Sequence, residues 1–569
     1  MKDRDIDEWV RKYRKVDPVI FTEDPQTSAR SRARTKATTG LEAYAGEWGE
    51  QQASHLLKRT LFGYRKTDLK HFQALGLTAA IDELISTSPI PTAPANNYND
   101  MGEGVEDPDV PFGESFVDAP RRNELEGPRI TSLKGWLVQN LIDQENTIHE
   151  KMILFWNNLI PAKIWDVFVS KTSYRYFETL RTHALGNFRE LIKAITLDPS
   201  MLIFLNGAWN HKYAPDENYA RELQELFCIG KGPNAKFSES DVQTAARLLT
   251  GNTIDWDNQV NATGPVESFF KPEWHDSEDK TFSAFYGNRV IQGRQGLSAE
   301  VELDELISML MDNDETALYL CRRLYNFFVH PEIDETVETQ MIEPMATMLR
   351  DNDYEIMPVI KAMFSSAHFY DESNLGAMIK SPTDHLIGFW RTMNVQYHSQ
   401  ETTAIYRAQR SLLWSMAEIG QELGDPPNVA GWQAYYQVPS YDRLWITTDS
   451  ITKRAIRIDS LIHWGFWVSE SETITADLIA FAETLDNPQN PNTLIEEAAM
   501  ILLGIPISQE TKDYLKSILL SGQQTDGYWL GAWIDYQDFP DNMEFKQIVE
   551  TRLKATMQAM CQLGEFQLM

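Results

Sequence analysis

Residues 216–226 read Asp-Glu-Asn-Tyr-Ala-Arg-Glu-Leu-Gln-Glu-Leu and carry two stripes at helical spacing. An α-helix places residues three, four and seven positions apart on one face. The polar stripe consists of Asn218, Arg221, Glu222 and Glu225. The adjoining apolar stripe consists of Tyr219, Leu223, Leu226 and Phe227. The pattern therefore predicts an amphipathic helix over 216–229 that buries the apolar stripe.

Helical periodicity continues on both sides of this stretch. Gly230 and Gly232 provide an exit, and Ser238 with Asp241 resembles a capping box that opens the next helix. Helical patterns also cover residues 130–250, 300–420 and 449–569. We predict a mainly α protein with a large multi-helix globular core and little β-structure.

Composition changes along the chain suggest three regions. Residues 1–48 read as an extended polar arm, 49–465 as the helical core and 466–569 as a C-terminal helical extension. Near the start of the core, helices are expected at 53–61 and 68–86. A loop is expected at 87–128, which contains seven prolines. Two loop-rich inserts, 252–297 and 425–441, interrupt the core and are expected to lie near the polar face of helix 216–229.

Charge and composition exclude some classes of protein. The chain has 52 Lys and Arg against 83 Asp and Glu, a net charge of −31 that repels phosphate backbones and argues against nucleic-acid binding. Its three cysteines form no disulfide or metal pattern. No run of about 18 apolar residues predicts a transmembrane segment. The charged N-terminus lacks the apolar core of a signal peptide, so the sequence itself predicts a soluble, cytoplasmic protein.

The polar stripe of helix 216–229 has several interpretations. It is either a solvated face, a buried network between helices, or part of a functional site. We predict that Arg221 is largely buried and paired with Glu217, Glu222 and Glu225, because an unpaired buried guanidinium is costly. Common catalytic signatures such as G-x-S-x-G and the Walker loop are absent.

A second candidate element is Trp274-His275-Asp276 followed by Lys280. Histidine transfers protons near neutral pH, and a nearby aspartate orients its ring or shares a cation. The candidate catalytic residues are Arg221, Glu222 and His275, with Asn218 and Lys280 as binding residues. A divalent metal is one possible cofactor, held by Glu222, Glu225, His275 and Asp276, a ligand set that suits Mg, Mn, Ca or Fe better than structural Zn. A loop histidine bound by backbone groups is the simpler alternative.

A third element runs from Gly424 to Trp432 and is followed by several aromatic residues. Trp432 and its neighbours offer flat surfaces for stacking a glycan. The alternative is an aromatic plug that packs against the helical core.

Several segments together resemble one bacterial family, the domain of unknown function 1800. The central match is NHKYAPDENYARELQELFCIGKG at 210–232, followed by SESDVQTAARLLTG at 238–251 and His275-Asp276-x-x-x-Lys280. Further matches are HLLKRTLFG (55–63), MILFWNN (152–158), HALGNFRELIKAITLDPSM (183–201), KSPTDHLIGFWR (380–391) and LGDPPNVAGW (423–432). They cover most of residues 50–465. Asp216 stands where the family usually has Asn.

The resemblance implies frequent export and frequent pairing with a companion, the domain of unknown function 1501 family, which is similar to sulfatases and alkaline phosphatases. Three functions follow as hypotheses. The first is an accessory or scaffold protein of the cell envelope that works with this phosphatase- or sulfatase-like companion, exported together with it. The second is a metal-assisted hydrolase with a site on helix 216–229 and the His275-Asp276 loop. The third is a glycan-binding module.

Overall fold

The computed structural model describes residues 40–99, 105–397, 401–469 and 472–569, and most of the predicted N-terminal arm lies outside these ranges. The structure is 59% helical and 4% strand, which confirms the mainly α prediction. Before the first insert, helices α1–α11 span Glu50–Thr60, Lys66–Leu75, Leu77–Leu84, Asn123–Asp143, His149–Leu159, Ile164–Val167, Ser170–Thr182, Phe188–Thr196, Pro199–Phe204, Glu217–Glu222 and Glu239–Leu248. After it, helices α12–α24 span Val301–Met311, Asp314–Phe328, Glu335–Val337, Glu343–Asp351, Ile356–Ser365, Pro382–Thr392, Thr402–Glu418, Thr448–His463, Leu478–Glu483, Pro491–Leu502, Gln509–Leu519, Gly527–Asp538 and Met543–Cys561.

Three two-stranded antiparallel ladders supply the β-structure of the described residues. Strands β1 and β2 are Asn252–Thr253 and Phe269–Phe270, and β3 and β4 are Lys280–Thr281 and Val290–Ile291. Strands β5 and β6, Phe466–Ser469 and Glu472–Ile474, pair with each other, and β5 packs against α18. The insert 252–297 is therefore built from two very short ladders joined by turns, with no α-helix among its residues.

One cluster of buried apolar side chains extends from Ala53 to Phe566. This cluster includes side chains of the C-terminal helices. The last residues also bond the core directly, because the backbone N–H of Lys380 donates to the carbonyl of Gln567 at 2.8 Å. Residues 40–48 also pack on this unit, because the N–H of Tyr44 bonds the carbonyl of Ser365 at 2.8 Å.

Two details of the first half differ from the sequence-based expectation. The single helix expected over 68–86 is two helices, α2 and α3, because Gly76 adopts φ +76° between them and breaks the helical path. The predicted loop 87–128 ends earlier, since α4 begins at Asn123 and contains Pro128. A proline inside a helix removes one backbone hydrogen bond, and the buried side chains of the following turns offset that loss.

Gly431 permits a close backbone approach between the insert 425–441 and helix α5. Its φ is +90°, and a Cβ added there would lie 2.2 Å from the carbonyl oxygen of Asn158. Gly287 provides a matched comparison, because its φ is also positive, at +67°, while an added Cβ would meet nothing within 4 Å.

We expect Gly287→Ala to destabilise the protein by about 1–2 kcal/mol through backbone strain alone. Gly431→Ala should cost clearly more, because the clash with Asn158 adds to the strain. Denaturant unfolding of both variants measures the difference. Equal losses would contradict the close contact at Gly431.

Candidate functional site

The helix predicted at 216–229 forms, with a change of pitch. Residues Glu217–Glu222 are α-helical and Leu223–Cys228 continue as a π-helical turn. Asp216 caps the start by accepting the N–H of Asn218 at 2.8 Å. The apolar stripe is buried as predicted at Tyr219, Leu223 and Phe227. The polar stripe therefore faces away from the core, along the start of α11.

Arg221 pairs with two of the three predicted glutamates, Glu217 and Glu225, does not bond Glu222, and is less buried than predicted. Its guanidinium lies 2.9 Å from Glu217 and 3.7 Å from Glu225, and it also bonds Glu239 at the start of α11. Its side chain remains 32% exposed, so the prediction of a largely buried arginine is wrong. The reason is that its strongest partner, Glu239, lies on a solvent-facing helix start rather than in the core.

The two glutamates of the polar stripe have different environments. Glu225 accepts from Lys231 at 2.7 Å and is neutralised. Glu222 has one buried carboxylate oxygen, Oε2, without a hydrogen-bond partner. Burial raises the pKa of Glu222 above its usual range. Glu222 is therefore the carboxyl group of this stripe that most favours carrying a proton.

His275, Lys280 and Glu302 form a cluster that we call the buried triad. Lys280 and Glu302 are fully buried, with Lys280 Nζ donating to Glu302 Oε2 at 2.7 Å. His275 Nε2 lies 3.3 Å from the same oxygen, and its Nδ1 lies 2.8 Å from the carbonyl of Thr250. Buried charges are stable only when paired and hydrogen-bonded. The triad thus fixes the insert 252–297 onto the start of α12.

Asp276 points to a different partner from its neighbour His275. Its carboxylate receives two hydrogen bonds from Arg247, at 2.7 and 3.1 Å. Burial favours the neutral carboxyl, but the hydrogen bonds and charge of Arg247, the backbone N–H of Glu278 and the charge of Lys280 together outweigh it and lower the pKa of Asp276. A salt-bridged carboxylate of this kind serves as a structural tie.

These groups belong to two clusters at opposite ends of α11. Glu239, its first residue, contacts Arg221, whereas Arg247 in its last turn contacts Asp276. At about 1.5 Å of rise per residue the two positions are roughly 12 Å apart along the helix. The structure therefore does not assemble the proposed metal ligands Glu222, Glu225, His275 and Asp276. Among the described residues, no group of three or more His, Cys, Asp or Glu side chains could hold a metal ion.

The two inserts lie against different helices. The insert 252–297 contacts helix 216–229, where the hydroxyl of Tyr286 donates a hydrogen bond to the side-chain oxygen of Gln224 at 2.8 Å. The insert 425–441 instead packs on α5, where the N–H of Trp432 bonds Asn158 at 2.9 Å. Trp432 is 2% exposed and cannot present its ring to a glycan. The aromatic plug is thus the interpretation that the structure supports.

Around the insert 252–297, aromatic side chains reach the surface. We call this set the aromatic patch; it comprises Trp209, His211, Tyr213, Trp256, Phe269 and Trp274. Tyr213 is 84% exposed and Trp209 is 49% exposed. The patch is built by the segment 207–214 lying against the insert, with the N–H of Lys212 bonded to the carbonyl of Trp274 at 2.7 Å.

Within the patch, the rings contact one another and nearby lysines. Trp209 stacks on Trp256 with ring centroids 6.0 Å apart. The Nζ atom of Lys271 lies 4.3 Å from the ring centroid of Trp274 and 5.5 Å from the ring centroid of Phe269. Exposed aromatic clusters of this kind mark interaction surfaces. The sequence showed that aromatics were dense in this region but gave no signal of which rings would be exposed.

A family model described as a protein of unknown function, DUF1800, matches residues 55–568. The chain belongs to the DUF1800 family. The match extends beyond residue 465 and through the predicted C-terminal extension. No curated protein and no solved structure matches this DUF1800 protein. Within the described ranges, none of the helices is long and apolar enough to cross a bilayer.

The buried triad and the Arg221 cluster should differ sharply in their effect on stability. Lys280→Met leaves Glu302 charged in the core and should lower the free energy of unfolding by about 3–5 kcal/mol. Arg221→Met removes partly solvated pairs and should cost about 1 kcal/mol or less. Chemical denaturation of the two variants measures this contrast. A larger loss for Arg221→Met would show that its cluster, and not the triad, holds this region together.

Proposed function

We propose that this protein is an accessory or scaffold protein of the cell envelope that binds a phosphatase- or sulfatase-like companion through the aromatic patch. The observation that carries the proposal is the contrast between the charged motif residues and the aromatic ones. Arg221, His275 and Lys280 are engaged in internal pairs. Trp209 and Tyr213 are instead exposed.

The patch has the composition of a protein-binding surface. Tryptophan and tyrosine dominate the residues that contribute most to protein interfaces, because they bury large areas at a low entropic cost. Lys212 and Lys271, each placed over an aromatic ring, add positive charge inside an acidic chain. The companion is taken from the family resemblance, as is the envelope location, which export together with that companion would explain.

A pull-down between this chain and a DUF1501 protein of the same organism tests the proposal. We expect Trp209→Ala and Tyr213→Ala each to weaken binding about tenfold or more, as expected for interface hot spots. Trp414→Ala is the matched control, since Trp414 is 59% exposed and lies on a different helix, α18. Companion binding should be unchanged in this control.

Two outcomes would count against the proposal. A parent protein that binds no companion would remove the accessory role. Companion binding that survives loss of both aromatic rings would place the interface elsewhere. If the parent instead binds glycans and loses them with Trp209→Ala, the third hypothesis would hold, with the aromatic patch in place of Trp432.

The hydrolase remains a second candidate because of one group. Glu222 combines a buried, unpartnered oxygen with a raised pKa, which suits a general acid. A panel of chromogenic phosphate, sulfate, carboxylic and glycosidic esters would reveal the activity. Glu222→Gln should then lose about 100-fold or more, while Glu225→Gln, whose carboxylate is neutralised by Lys231, should stay near the parent. An inactive parent across the panel would contradict this candidate.

A further inference from the structure

Two sequence motifs that the proposed function does not use meet in the core. Lys58 comes from the HLLKRTLFG segment at 55–63, and Lys380 begins the KSPTDHLIGFWR segment at 380–391. The helices that carry these segments approach so closely that a Cβ on Gly63 would lie 2.3 Å from the carbonyl oxygen of Gly388. Both lysines line one small cavity beside this crossing.

The cavity is partly open, has a volume of about 30 Å³ and admits one or two water-sized species. Its lining includes Lys58, Lys380, Asp384, Thr392 and the ring of Phe566. It is therefore large enough for a single compact ion and too small for an organic substrate.

Neither lysine has a carboxylate partner within the described residues. Lys58 Nζ donates to the carbonyl of Leu502 at 2.8 Å, and Lys380 Nζ donates to the carbonyl of Phe566 at 2.8 Å. These carbonyl oxygens accept single hydrogen bonds but supply no negative charge to match an ammonium group. Each ammonium group carries three protons, so further donors remain for a ligand.

The acidic side chain in the lining is already engaged. Asp384 is bound by Lys151 and accepts from the hydroxyl of Ser381 at 2.7 Å. Its negative charge is therefore matched by Lys151, which is itself buried. Asp384 also attracts Lys380, but one carboxylate cannot neutralise Lys151, Lys58 and Lys380 together.

Two buried arginines add positive charge, which Asp442 and Asp384 offset in part. Arg59 and Arg454 are 1% and 0% exposed and bond neutral oxygens of Asn374, Gln567 and Lys380. Nitrogens Nε and Nη1 of Arg59 and Nη1 of Arg454 have no hydrogen-bond partner. Burial lowers the pKa of Lys380 to about 8 and that of Arg454 to about 9. The proximity of Lys380 adds to the effect of burial in lowering the pKa of Lys58.

We propose that the cavity between Lys58 and Lys380 binds one small inorganic anion, which accepts hydrogen bonds from both ammonium groups and neutralises the charge buried there. A halide and a tetrahedral oxyanion share this chemistry. The site joins α1 to the segment leading into α17, so the anion acts as a tie between two distant parts of the chain. It is separate from the aromatic patch and does not depend on the companion.

The test compares thermal unfolding of the full chain in sodium chloride, bromide, phosphate and sulfate with sodium gluconate at the same ionic strength. The bound anion stabilises only the folded state, so we expect the thermal unfolding midpoint of the parent to rise by about 2 °C or more in at least one of these salts. The salt that acts tells a halide site from an oxyanion site. Lys58→Met and Lys380→Met should lose the rise, and in gluconate should unfold no earlier than the parent, because a buried repulsion is gone.

Lys361→Met is the matched control, since Lys361 is exposed and paired with Asp82 on the surface. It should keep the full response to the anion. A rise of equal size in the parent, Lys58→Met and Lys380→Met would be a general salt effect and would overturn the proposal. If the two variants do not fold, crystals of the parent soaked in bromide and in sulfate decide: density for an anion between the two lysines in either crystal supports the site, and water alone in both overturns it.

Discussion

The fully buried ion pair between Lys280 and Glu302 fixes the position of the insert 252–297, which contacts helix 216–229. Because neither charge can be left alone in the core, the strand that carries Lys280 must meet the start of α12. This contact carries the irregular insert 252–297 with it and orients His275 toward Glu302 and Asp276 toward Arg247. The aromatic patch then forms where the segment 207–214 lies on the outside of that insert.

The arrangement separates two kinds of motif residue. The charged residues of the family motifs close onto one another and hold elements together, as Arg221 does with Glu239 and Asp276 with Arg247. The residues of the aromatic patch, such as Trp209 and Tyr213, remain at the surface. Glu222 is the exception among the charged ones, because its carboxylate has neither a full set of partners nor open solvent. The charged motif residues therefore serve the fold.

Much of the fold could be predicted from local patterns. The apolar spacing at Ala53, Leu56 and Leu57 identified α1, and Ser238 with Asp241 identified the capping box of α11, because both signals lie within a few residues. The effects of Gly76 and Pro128 on their helices were not predicted correctly, because these effects are not local. Whether a glycine breaks a helix, or a proline is tolerated inside one, depends on the packing of the turns that follow. That packing involves residues far away in sequence.

The sequence by itself determined the mainly α class, the family, the amphipathic helix 216–229 and the pairing of Arg221 with Glu217 and Glu225, since each depends on neighbouring residues or on an ordered set of motifs. Only the tertiary structure decided that Arg221 stays partly exposed, that Trp432 is buried, and that the proposed metal ligands lie in two separate clusters. It also decided that Lys58 and Lys380 share one cavity. The physical reason is that burial and charge pairing depend on distances between elements, which helical periodicity along a chain does not encode.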